Sequence, residues 1–313
     1  ERLRAAGIPA YLITARGPDM RDMTLREMLA KAVNKRFVGQ LVDAVKSIKV
    51  GPGYDISTWM NGVIAEPGEK LMRGLTKLEK GEKWLVKPEK LNDEGTLWSP
   101  GLRDNVKPGS WFHTHECFGP VAGIMHAETL EQAIEWQNST GFGLTGGIHT
   151  IDVDETALWR EKVEVGNAYV ERGITGAIVR RQSFGGWKNS SIGNGAKAGG
   201  PNYVSQQGRW TEGDLTQLVS ASLPTHITQM LREILGLGSP ALSKADHAWL
   251  RQAAESDAYA MQTEFGVEHD KTALIVESNV FRYKPLLEPL RVRVHADANP
   301  RDILRLRLGA AAT

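Results

Sequence analysis

The segment Glu116-Cys117-Phe118-Gly119-Pro120 puts a carboxylate, the only thiol in the chain and an aromatic ring on consecutive residues ahead of a Gly-Pro turn. Such a set suits a cofactor pocket, because the acid can accept hydrogen bonds from ribose hydroxyls while the ring packs beside a flat heterocycle. By spacing alone a plainer reading is favoured, a strand end carrying a solvated acid. His113 and His115 precede Cys117 at intervals of two. Residues 110–115 read as a strand, and if it runs on to Cys117 all three side chains share a face, with a base beside a nucleophilic thiol. Two other readings compete: a buried thiol serving as a small apolar side chain, and a metal site from His113, His115 and His126, which lacks further ligands at informative spacing.

A second dense region covers residues 166–203, where glycines at 166, 173, 176, 185, 186, 193, 195, 199 and 200 punctuate short apolar pieces. Turns and close backbone approaches therefore alternate with strand-like segments at 168–170 and 174–179. Thr175-Gly176-Ala177 reads either as an anion-accepting nest of backbone N–H groups or as a plain turn. Arg180, Arg181 and Lys188 could attract an anion, but basic residues beside loops ordinarily form a solvated face. Gly193, Gly195 and Ala198 meet a relaxed dinucleotide fingerprint, yet no strand precedes them and Pro201 follows closely, so the match is accidental.

The elements that must position these residues follow from periodicity. Leu25, Met28, Leu29, Ala32 and Val33 have helical spacing, and so do Phe37, Leu41, Val42, Val45 and Ile48, up to a stop at Val50-Gly51-Pro52-Gly53. Residues 83–87 alternate like a strand, and loops are expected over 88–109. Strands are expected at 110–115, 121–125 and 141–149, with helices at 130–138 and at 152–163, the latter capped by Asp152 or Asp154. That alternation predicts an α/β fold with parallel connections. Beyond 210 the pattern changes. Helical spacing over 211–236 includes Leu215, Leu218, Val219, Leu231 and Ile234, a helix capped by Ser243 covers 243–259, strands are expected at 273–276, 280–283 and 290–294, and Asn299-Pro300 opens a last helix. The expected domains are residues 1–36, of uncertain origin, 37–210, and an α/β extension over 211–313.

Composition narrows the function classes. The 313 residues carry 38 basic and 37 acidic side chains, a net charge of +1 that gives no reason to expect nucleic acid or an anionic membrane as partner. A single cysteine rules out an internal disulfide framework and favours a reducing, cytoplasmic setting. No apolar run approaches the roughly 18 residues of a membrane span. Small molecules and protein partners, including further copies of the chain, are the expected ligands.

Taken together, Glu116-Cys-Phe-Gly-Pro-Val121, Gly141-Phe-Gly-Leu-Thr145, Gly166-Asn167, Thr175-Gly-Ala177, Gln182-Ser-Phe-Gly-Gly186, Ser190 and Lys197-Ala-Gly-Gly-Pro-Asn-Tyr203 resemble, in one order, the C-terminal half of the aldehyde dehydrogenase superfamily. The combination of Thr-Gly-Ala, Gln-x-Phe-Gly-Gly and Lys-Ala-Gly-Gly-Pro-x-Tyr is similar to its L-glutamate γ-semialdehyde (Δ1-pyrroline-5-carboxylate) dehydrogenase branch, found in bifunctional proline-utilisation proteins. The resemblance covers about residues 37–210, and Glu277-Ser-Asn-Val-Phe-Arg-Tyr-Lys-Pro285 looks like part of the extension of long members.

The resemblance implies a parallel-rich sheet with flanking helices and NAD-dependent oxidation of glutamate semialdehyde to glutamate, with a proline dehydrogenase domain as companion in a full-length protein. It implies that Glu116 holds the nicotinamide ribose and Phe118 flanks the nicotinamide, that Thr175, Gly176 and Ala177 grip the substrate α-carboxylate, and that Phe184 packs on its aliphatic part. Ser183 stands where the family usually has proline, which removes a source of loop stiffness. The family's nucleophilic cysteine belongs to a Gly-Gln-x-Cys-Ser segment that nothing in residues 1–36 matches, and its general-base glutamate and Rossmann portion would lie earlier still. Aldehyde oxidation on a thiol needs that nucleophile, so this C-terminal piece is expected to be inactive alone. Two other classes stand beside this reading: a non-catalytic binding or assembly module, and a thiol hydrolase using Cys117 with a nearby histidine.

Overall fold

The computed structural model describes residues 23–179, 181–193, 195–211, 221–236, 242–285 and 291–312, with side chains from residue 34. Two compact units divide it, Glu1–Gly176 with Gly185–Gly195, and Ala177–Phe184 with Ala196–Thr313.

In the first unit the two amphipathic runs expected near the N-terminus are one helix, α1 (Met23–Ser47). No glycine or proline separates Val33 from Phe37, so the backbone has no reason to break there. Helix α2 (Glu69–Thr76) starts after Pro67-Gly68 and buries Leu71, Gly74 and Leu75. Strand β1 (Lys83–Val86) pairs antiparallel with β2 (Gly101–Asp104), which pairs in parallel with β3 (Val121–Gly123). The central β2 falls where only loops were expected. All four of its residues are buried, so it shows no alternation, and its Arg-Asp pair hides its strand character.

Residues 110–115 correct a second expectation, because they are not a strand. Trp111–Thr114 form a short helix, α3, in which the Ser110 hydroxyl accepts from the His113 N–H and Thr114 Oγ1 donates to the Ser110 carbonyl. A serine cap directly after the Pro108-Gly109 turn starts helical winding more effectively than the weak alternation of Trp-Phe-His-Thr-His extends it.

The α/β expectation is met by β5 (Thr145–Ile148) and β6 (Asn167–Val170), a parallel pair joined through helix α5 (Val153–Lys162). Asp152 caps α5 by accepting from the N–H groups of Asp154 and Glu155, and acids in the first turn with bases in the last complement the helix dipole. Helix α4 (Leu130–Asn138) is capped by Thr129. Leu130, Ile134, Ile148, Trp159, Val163 and Val165 pack into one core. The strand expected over 141–149 splits: β4 (Phe142–Gly143) pairs antiparallel with β7 (Trp187–Lys188), while β5 joins β6. Gly166 lets two backbones meet, since a Cβ there would overlap the Gly185 carbonyl.

The second unit is built on helices α6 (Thr225–Gly236), α7 (Lys244–Ala260) and α8 (Pro300–Ala312), with Ile227, Leu231, Ile234, Leu250, Ala254 and Leu308 as core. Ser243 and Asp246 cap α7 reciprocally, and Arg305 binds Asp257 through two bonds of 2.7 Å. The expected helical residues Leu215, Leu218 and Val219, and Leu290, lie outside the described residues. Strands do not form at 273–276, 280–283 or 291–294. Phe281 makes a single two-bond bridge to His269, and Asp270 Oδ1 takes the N–H groups of Thr272 and Ala273. That side chain competes directly with a ladder for the same donors.

Candidate functional site

The Glu116 segment is held from both ends. Helix α3 with its Ser110 cap leads into it, and Pro120 leaves it by giving its carbonyl to the Gly101 N–H at 2.8 Å, where β3 docks on β2. Between these anchors Glu116 is exposed and Phe118 is 71% exposed. Phe118 has a φ of 53°, in the left-handed region, which costs an L-residue about 1–2 kcal/mol. A bulky ring displayed on a strained backbone is characteristic of a functional loop. Both side chains line a cleft of about 710 Å³ together with Phe112, His115 and residues 60–64.

Sequence reasoning missed that last segment. Its polar group is Asn61, and its placement follows from Gly62, where a Cβ would stand 2.6 Å from the Thr96 carbonyl oxygen. The Asn-Gly pair inside an apolar run is the one local signal of a close approach.

Cys117 also lines this cleft, but it is half-buried and packs on the Leu71, Leu75 and Trp98 cluster. Its sulfur lies so near Gly74 that a Cβ there would be 2.5 Å from it. Burial pushes the thiol pKa up, against the pull of Arg103, so the group is protonated and apolar in character. The helix at 111–114 removes the shared strand face that would have joined His113, His115 and Cys117. His113 Nε2 instead contacts the Trp136 carbonyl, His115 stacks on Trp111 with ring centroids 5.0 Å apart, and His126 Nε2 bonds Asp104 Oδ1 at 2.6 Å. Among the described residues no group of three His, Cys, Asp or Glu could hold a metal.

The platform under this loop is an ion pair. Arg103 Nη1 binds Glu82 Oε2 at 2.9 Å, both side chains being 1% exposed. Its guanidinium lies 4.7 Å from the Trp84 ring centroid and 3.9 Å from that of Phe112, and its Nη2 donates to the Gly74 carbonyl. One side chain thus ties β1, β2, α2 and α3 together.

In the glycine-dense region, Thr175 and Gly176 are exposed and Ala177 is half-buried. Gly176 has a φ of 76°, and its carbonyl accepts the Tyr169 hydroxyl at 2.7 Å. The buried Tyr169 on β6 was not singled out from sequence, because a strand tyrosine reads as core. Phe184 belongs to the second unit, where its backbone exchanges two bonds of 3.0 Å with Ala198 and its side chain is 36% exposed. Lys188 pairs with Glu164 at 2.5 Å and also donates to the carbonyls of Asn138 and Thr140, and Arg181 pairs with Glu277 at 2.5 Å. These two bases are structural ties, and Arg180 lies outside the described residues. No helix starts at Gly193 or Gly195, both of which have positive φ.

The sequence profile of the aldehyde dehydrogenase family matches residues 23–208 of this chain, beginning earlier than residue 37. The 1-pyrroline-5-carboxylate dehydrogenase of Geobacillus sp. (strain WCH70) is 33% identical over 180 residues, which is 57% of this chain and 35% of that protein. The enzyme of the same name from Bacillus subtilis (strain 168) is 34% identical over equal shares. The chain therefore spans about a third of the length of these curated relatives. Proline Utilization A (PutA) from Corynebacterium freiburgense is similar in structure with a TM-score of 0.76 and 60% identity, over 89% of this chain and 27% of that one.

Proposed function

The chain belongs to the aldehyde dehydrogenase family, and from that premise we propose that it supplies the nicotinamide-side and substrate-side walls of an NAD-dependent L-glutamate γ-semialdehyde dehydrogenase acting in proline catabolism. The observation that carries this reading is the shared cleft of Glu116 and Phe118. An exposed carboxylate and an exposed ring on a loop anchored at both ends fit a ribose with an attached flat heterocycle. NAD, when bound, supplies the acceptor for the hydride that leaves the substrate carbon.

The residues of this chain act around that transfer. Glu116 accepts from the ribose hydroxyls, and Phe118 walls one side of the nicotinamide. Thr175, Gly176 and Ala177 offer backbone N–H groups to the substrate α-carboxylate, and Phe184 covers its methylene chain. Cys117 is assigned no chemical step, since it packs on the Leu71, Leu75 and Trp98 cluster and burial pushes its pKa up. With Cys117 as the sole thiol, the 313 residues by themselves do not turn over substrate. The likeness to PutA supports a proline dehydrogenase domain as companion in the full-length protein.

Calorimetric titration of the chain with NAD and with L-glutamate tests the two walls separately. Glu116→Gln and Phe118→Ala are expected to weaken NAD without affecting glutamate, and Phe184→Ala to do the reverse. Binding of neither ligand by the unaltered chain, together with tight association with another protein, would replace this reading with that of an assembly module.

A further inference from the structure

Residues 178, 179 and 181–184, in the second unit, carry the proposed substrate ring Phe184 at one end. They close on themselves around Gln182, whose N–H donates to the Ile178 carbonyl and whose Oε1 accepts from the Ile178 N–H, both at 2.9 Å. Its other end reaches far along the chain: Gln182 Nε2 donates to Asn279 Oδ1 at 2.6 Å. The neighbouring Arg181 pairs with Glu277 at 2.5 Å. Two consecutive side chains of this loop are therefore gripped by one segment almost a hundred residues downstream, in the region that follows the family match.

That segment is itself pinned. Asp270 Oδ2 accepts from the Asn279 N–H at 2.9 Å and from Ser278 Oγ at 3.2 Å, and Oδ1 accepts from the N–H groups of Thr272 and Ala273. Asn279 Nδ2 donates to Thr272 Oγ1 and Glu277 Oε1, each at 3.1 Å, which orients Oδ1 toward Gln182. Charged acceptors holding two backbone segments make such a loop stiff.

We propose that Asn279 is a positioning residue for the Phe184 wall of the site: through Gln182 it fixes the backbone from Ile178 and Gln182 to Phe184, so that the extension sets how tightly a γ-semialdehyde of an α-amino acid, or its glutamate product, is held. This rests on the reading of Phe184 as substrate wall given above. Asn279 is assigned no contact with substrate and acts through its bond to Gln182.

The test uses the full 313-residue chain, with amide hydrogen exchange and L-glutamate titration on Gln182→Ala, Asn279→Ala, the double variant and Phe184→Ala. Each of the first two is expected to speed exchange at Ile178 and Gln182 and to weaken glutamate about two- to tenfold, the loss of one net hydrogen bond. Protection in helix α7 should stay unchanged, which shows that the fold is intact. The double variant should be no worse than Gln182→Ala alone, since without Gln182 the contact that links Asn279 to the loop is already gone. Unchanged exchange at Ile178 in Asn279→Ala, or additive effects of the two substitutions, would overturn the proposal and leave Asn279 as a brace of its own loop. Phe184→Ala should weaken glutamate without speeding exchange at Ile178. If it leaves glutamate binding intact, the substrate reading fails, while the exchange data still decide whether Asn279 positions the loop.

Discussion

Phe118 shows how a single residue reveals a trade between backbone and ligand. Its φ of 53° is a conformation glycine adopts freely, so Phe118→Gly is expected to raise stability by about 1 kcal/mol in denaturant unfolding while abolishing the ring wall and weakening NAD. If stability falls instead, the ring contributes more to the fold than the strain removes. Lys197 gives a pH signature. Burial pushes its pKa down to about 8, whereas an unfolded lysine titrates near 10.4. Between those values the unfolded chain binds more protons, so stability should rise as pH rises from about 8 to about 10.4. Lys197→Met should flatten that slope in thermal melts across the window.

At the scale of elements the buried Arg103 and Glu82 pair matters most to the Glu116 loop. Removing one partner of a buried ion pair typically costs about 3–5 kcal/mol, so Glu82→Ala is expected to lower stability by that amount in urea unfolding. Replacing both by apolar residues should recover much of the loss. A loss from Glu82→Ala no larger than that of an exposed pair would show that water reaches Arg103. The same pair explains what the sequence left illegible. The helices capped by Asp152 and Ser243 were readable because each cap residue marks the helix start locally. Strand β2 was not, because Arg103 and Asp104 are satisfied by partners remote in sequence, Glu82 and His126. Likewise the Ser110 cap overrides the extended pattern of 110–115, and Asp270 takes backbone donors of Thr272 and Ala273 at the start of the apolar run 273–276. Glu116 and Phe118 were legible as a set, but residues 60–64 across the cleft and Tyr169 behind Gly176 were not, since contact across the chain assigns their roles.

For the whole molecule, the family match and the anchored Glu116 loop support the proposal that these residues contribute two walls of a dehydrogenase site. Among the described residues no helix is long and apolar enough to cross a membrane. The most direct measurement follows NADH formation from glutamate γ-semialdehyde and NAD, by the 313-residue chain alone and by the chain extended at its N-terminus with the whole portion of the 60% identical PutA relative that precedes the matching region. The expected result is turnover in the extended protein alone, reduced roughly ten- to hundredfold by Glu116→Gln, in line with loss of charge-assisted hydrogen bonds. Turnover by the unextended chain that disappears in Cys117→Ser would contradict it.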